Sequence, residues 1–122
     1  MATIFHIAFP DQWEAAVEAG CYRWSTRGKS LDDGATFIHA SRSEQVAMVA
    51  NFAYDDVDGP LFLLVIDTTR LVSALCDEDL DGTGMSFPHI YGPLNLDAVV
   101  DVRPYHRGPD GLWPEVSAEA VS

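Results

Sequence analysis

Three of the four histidines in this 122-residue chain, His6, His39 and His89, fall in apolar, structured stretches rather than in loops. Histidine titrates near neutrality and is the commonest general acid, base or metal ligand. Ser41 follows His39 by two residues, which puts both on one face of an extended strand. Tyr91 follows His89 inside the segment FPHIYGPL, Phe87–Leu94. Pro88 and Pro93 fix φ there and Gly92 permits a turn, so His89 and Tyr91 are held rather than mobile. The expectation is one cleft lined by His6, His39, Ser41, His89 and Tyr91, with Glu78 as a carboxylate able to reach it. The plain alternative is that each histidine is a hydrogen-bonded core residue. FPHIYGPL would then be a folding device whose corner His89 ties down.

Other chemistries find little support. Ser41-Arg42-Ser43-Glu44 reads as a capping box, with the Ser41 hydroxyl as helix N-cap. A hydroxyl so engaged is no free nucleophile, and no GxSxG elbow surrounds it. The histidines lack HxH or HExxH spacing, so no metal site is expected. Asp77, Asp79, Asp81 and Gly82 match half of a calcium loop, but Pro88 stands where the bidentate glutamate belongs. P-loop and GxGxxG patterns are absent. Cys21 and Cys76 have no CxxC spacing and read as structural thiols.

These residues need elements to position them. Thr3–Phe9 reads as a first strand with Ile4, His6 and Ala8 on one face and Phe5, Ile7 and Phe9 on the other. Asp11–Ala19 reads as a helix with Trp13, Ala16 and Val17 inward, ending at Gly20. Cys21–Ser25 and Thr36–Ala40 read as strands around a loop, Thr26–Gly34. A helix over Arg42–Phe52 turns Val46, Val49, Ala50 and Ala53 to the core. Leu61–Asp67 is apolar on both faces, the mark of a central strand. Val72–Cys76 and Ala98–Tyr105 complete the strands, Val100 and Val102 facing inward. Asp77–Gly84 is an acidic loop. The sum is one α+β domain over residues 1–105 with a mixed or antiparallel sheet and short helices early. Residues 106–122 form a polar tail that only Leu112, Trp113 and Val116 could dock.

Nineteen acidic and seven basic residues give a net charge of −12. That disfavours nucleic acid and anionic membranes as partners. The hydrophobic share of 48% fits a folded domain. No apolar run approaches the roughly 20 residues of a membrane span. The first residues lack the pattern of a signal peptide, so a cytoplasmic protein with reduced thiols is expected.

At IFHI, FIHAS and FPHIYGPL the order and spacing resemble a bacterial family, domain of unknown function 952, from about Thr3 to Tyr105. Ala35-Thr36 stands where that family usually has glycine, and the loop Trp24–Gly34 is longer than typical. The resemblance implies an ADP-ribosyltransferase-like α+β fold, its sheet split around a cleft that takes NAD in relatives. Those relatives include the tRNA 2′-phosphotransferase. By position, His6 would hold the ribose or amide of NAD, with His39 and Ser41 beside it. Tyr91 would stack or bond, and Glu78 or His89 would polarise an acceptor. The implied function is a nucleotide cleft, with or without transferase activity. The alternative is a non-catalytic module for a small ligand or peptide. RNA is not carried over as substrate, given the charge.

Overall fold

The computed structural model describes residues 3–116. Strand β1 (Thr3–Ala8) pairs antiparallel with β4 (Leu61–Asp67), which pairs antiparallel with β8 (Val99–Tyr105). A second sheet orders β3 (Ile38–His39), β6 (Phe87–Tyr91) and β5 (Ala74–Glu78). β2 (Cys21–Tyr22) and β7 (Leu94–Asn95) make a two-stranded ribbon. All strand pairs described are antiparallel. The two larger sheets meet where Phe5 and Ser41 exchange backbone hydrogen bonds of 2.8 Å. The sheet therefore splits just beyond His39.

Helix α1 (Pro10–Ala19) opens with proline at its first position, where the missing N–H costs nothing. It ends at Gly20 in the left-handed region. Helix α2 spans Ser43–Ala53. The alternation along β1 divides the core in two. Ile4 and Ala8 pack with Ala16, Tyr22, Leu64 and Ile66, under α1. Phe5 and Ile7 pack with Val46, Ala50, Leu63 and Val65, under α2. β4 is buried on both faces, as its composition requires.

Several expectations are corrected. The strand read over Cys21–Ser25 is two residues long, and that over Thr36–Ala40 is Ile38–His39. Between them the chain makes two 3₁₀ turns, Thr26–Gly28 and Leu31–Asp33, because serine and glycine there favour local bonds over a ladder. Ser41 is not the helix cap. Its backbone is held in the bridge to Phe5, so α2 starts later, with Arg42 as N-cap. The Gln45 side chain accepts from the Arg42 N–H at 2.9 Å, the role assigned to Glu44. β5 starts at Ala74 and ends at Glu78, so Glu78 belongs to a strand rather than to the acidic loop. Val72 precedes it and is exposed. Val17 and Val100 also face out.

Residues 106–116 lie against the α2-side core. Trp113 is buried there, stacked on Tyr105, and its indole N–H donates to the Tyr54 carbonyl. Leu112 is exposed, and Val116 packs at the margin. Residues 117–122 lie outside the described range.

Candidate functional site

The His6 ring is buried at the junction of the two sheets. Its Nδ1 donates to the His39 carbonyl at 2.7 Å. A carbonyl only accepts, so Nδ1 carries the proton and the neutral Nε2 accepts from the Tyr22 hydroxyl at 2.9 Å. Burial lowers its pKa to about 4. Both nitrogens are committed, and what the ring does is hold the backbone of His39 in place.

His39 faces the other way. On β3 it is paired with His89 of β6, and paired residues of an antiparallel ladder share a face. Its ring lies between Phe87, at 5.0 Å between centroids, and His89, at 5.3 Å. Among the described residues no hydrogen bond is made by its ring nitrogens. Burial, and then the neighbouring His89, lower its pKa to about 4, against a smaller pull upward from Asp81. His39 is therefore neutral at pH 7, with one donor and one acceptor to offer.

His89 is buried and committed. Its Nδ1 donates to Glu78 Oε1 at 3.0 Å, and Phe37 stacks on its ring at 4.0 Å. The Tyr91 hydroxyl donates to the same carboxylate oxygen at 2.6 Å. Those bonds, first Tyr91 and then His89, hold the Glu78 pKa below its usual range, while the carboxylate pushes Tyr91 up to about 12. Glu78, His89 and Tyr91 thus form one cluster behind His39.

Ser41, freed from capping, makes no side-chain hydrogen bond among the described residues. It lines a hollow of about 10 Å³ with His6, Thr26, His39 and Tyr54, room for about one water. That hollow adjoins a larger cleft of about 530 Å³. His39 and Thr26 border both. The walls of the cleft are Met48, Val49 and Phe52 of α2, Phe87 of β6, and Asp81, Thr83 and Met85 of the β5–β6 connection. Phe52 is 86% exposed, although solvent contact is unfavourable for so large an apolar ring.

Local bonds fix the walls. The Asp79 carboxylate accepts from the Thr83 and Gly84 N–H groups, shaping the β5–β6 connection. Arg42 and Gln45 both donate to the Ser86 carbonyl, and Arg42 also pairs with Asp77, so this connection is tied to the start of α2. On the other side, Arg27 holds the Thr26–Gly28 turn. Its guanidinium bonds Asp56 and the Ala53 carbonyl, and its N–H donates to the Tyr54 hydroxyl at 2.7 Å. Arg27 sits at φ 56°, a conformation that those bonds maintain. Gln12 donates to the Gly28 carbonyl from the α1 side.

His6, His39 and Ser41 therefore meet around one hollow, and His89, Tyr91 and Glu78 form the adjoining cluster. Thr26, Tyr54, Met48, Phe52, Met85 and Asp81 were not foreseen. The one usable sign was Met48 and Phe52, spaced i, i+4 on α2 outside its core stripe. Among the described residues no group of three or more His, Cys, Asp or Glu could hold a metal ion, and no helix is long and apolar enough to cross a membrane.

The family model described as "Protein of unknown function (DUF952)" matches residues 7–102. Among solved structures, the crystal structure of the protein CC0527 from Caulobacter crescentus is similar. It is 29% identical, covering 93% of this chain and 94% of that chain, with a TM-score of 0.73. A double mutant of CC0527 has a TM-score of 0.73 at 28% identity, over the same shares of both chains. The solution NMR structure of CC0527 has a TM-score of 0.71 at 28% identity, covering 92% of this chain and 91% of that chain. Among curated proteins, nothing matches.

Proposed function

The chain belongs to the DUF952 family, and from that premise we propose that its cleft binds a nucleotide of the NAD type on an ADP-ribosyltransferase-like scaffold. One observation carries the reading. His6 and His89 spend hydrogen bonds on the protein, while among the described residues the His39 ring and the Ser41 hydroxyl have no hydrogen-bond partner and line a hollow beside the cleft. Polar groups so placed beside apolar walls suit a ligand with a flat base and a hydroxyl-bearing sugar. The base packs among Met48, Phe52, Met85 and Phe87. The sugar hydroxyls bond His39 and Thr26, and a water in the small hollow links them to Ser41. His6 is a positioning residue, acting through the His39 backbone.

Transfer would break the nicotinamide–ribose bond, the electron pair leaving with nicotinamide while an acceptor adds to the ribose carbon. An oxocarbenium-like centre needs a nearby negative group. Asp81 is the carboxylate on the cleft wall. Glu78 is held back by Tyr91 and His89. That commitment favours a second reading, binding without turnover.

The test is a titration with NAD followed by NMR of the histidine rings, with nicotinamide release assayed in the same samples. The His39 signals are expected to move, and His39→Ala is expected to keep the fold while losing the response. Free nicotinamide separates transfer from binding alone. Unmoved His39 signals at millimolar NAD would end the nucleotide reading.

A further inference from the structure

Thr26 borders three hollows at once: the small one beside Ser41, the apolar cleft, and a groove of about 270 Å³ on its far side. The groove is lined by Thr26, Lys29, Gly34, Thr36 and Phe37, together with Ser25 and Ala35, and no carboxylate. Ser25 ties it to the site, because its hydroxyl accepts from the His39 N–H at 3.1 Å. Resting on the nucleotide reading above, we infer that this groove is the anion subsite of the cleft and that Lys29 holds a phosphate of the bound nucleotide.

The inference rests on how the seven basic residues are used. Arg23 pairs with Asp32, Arg27 with Asp56, Arg42 with Asp77, Arg70 with Asp67 and Arg103 with Asp101. Arg107 lies over Trp113 and bonds the carbonyls of Tyr54, Asp55 and Val57. Among the described residues Lys29 alone has a cationic group with no partner. Lys29 is exposed, so its ammonium is hydrated and free to reach an anion in the groove. The root of the side chain is fixed at the groove: the Lys29 carbonyl accepts from the Ser25 N–H at 2.7 Å and the Lys29 N–H donates to the Thr26 carbonyl. A flexible ammonium with three donors suits a phosphate, and the hydroxyls of Thr26 and Thr36 border the same space.

A base in the apolar cleft and a sugar at His39 then place the phosphate across Thr26, toward Lys29. The ligand class is a nucleoside phosphate or a dinucleotide joined through phosphates, rather than a free nucleoside. Calorimetric titration with ADP and with adenosine, with His39 followed by NMR, tests this. ADP should bind roughly tenfold or more tighter than adenosine, a gain that falls with added salt. Lys29→Met should erase that gain, leaving adenosine affinity and the His39 response unchanged, and Lys29→Arg should keep most of it. If adenosine binds but ADP binds no tighter, or Lys29→Met retains the gain, the subsite is overturned while the cleft stands. If neither moves His39, the nucleotide reading fails and the subsite with it.

Discussion

At the residue scale, the histidines differ in what their nitrogens touch. His6 is a neutral strut between two sheets, its ring bonded to the His39 carbonyl and to Tyr22. Its pKa of about 4 in the fold lies below the ordinary 6.5, so the unfolded chain binds more protons between those values. The stability it contributes is complete above about pH 6.5 and is lost as pH falls toward 4. The gap corresponds to roughly 3 kcal/mol. His39 shifts in the same direction. Thermal unfolding should show a midpoint that declines steadily from pH 7 to pH 4.5. The advantage of wild type over His6→Gln should shrink over the same range. A pH-independent difference between the two would contradict the strut.

At the element scale, FPHIYGPL is a strand and a turn. β6 runs through Phe87–Tyr91 at the centre of the second sheet, and places His89 between His39 on β3 and Cys76 on β5. Gly92 follows at φ 143°, where a Cβ would lie 2.6 Å from Ser73 Oγ and 3.1 Å from Ser73 Cβ. The Ser73 hydroxyl donates to the Pro93 carbonyl, so it cannot simply swing away. Gly92→Ala should cost roughly 1–3 kcal/mol in chemical denaturation, from strain and contact together. Adding Ser73→Ala should restore part of that loss, because the hydroxyl is gone while the strained φ remains. Equal stability of Gly92→Ala and wild type would remove the close approach as the reason for glycine.

At the scale of the whole molecule, the segment after β8 is structural. Trp113 stacks on Tyr105, receives the Arg107 guanidinium at 4.8 Å, and closes the core beneath α2. Asn51 of α2 grips its backbone on both sides, accepting from the Trp113 N–H and donating to its carbonyl. α2 also carries one wall of the cleft, so the segment steadies the site from behind. Trp113→Ala should cost roughly 3–5 kcal/mol, as large truncations in a core do. Hydrogen exchange should also quicken along α2. Unchanged protection there would show that the segment only covers the helix.

Much of this was legible in the residues themselves. The two faces of β1, the doubly buried β4 and a helix over Asp11–Ala19, one residue short of the observed start, follow from periodicity and backbone chemistry, which act over a few neighbours. The family resemblance drawn from FIHAS and FPHIYGPL is likewise met by the match over residues 7–102. The state of each polar side chain was not legible. A serine two residues after His39 and three before Glu44 can cap a helix or face a cleft. The bridge to Phe5 settles that, and it lies 36 residues away along the chain. Glu78 reads in sequence as a loop carboxylate able to reach the cleft, and pairing with β6 sets it on a strand among His89 and Tyr91. Lys29 stands out only once every arginine is seen to have a partner. Type and local order come from the sequence alone, whereas which nitrogen, hydroxyl or ammonium is left free depends on contacts that only the folded chain makes.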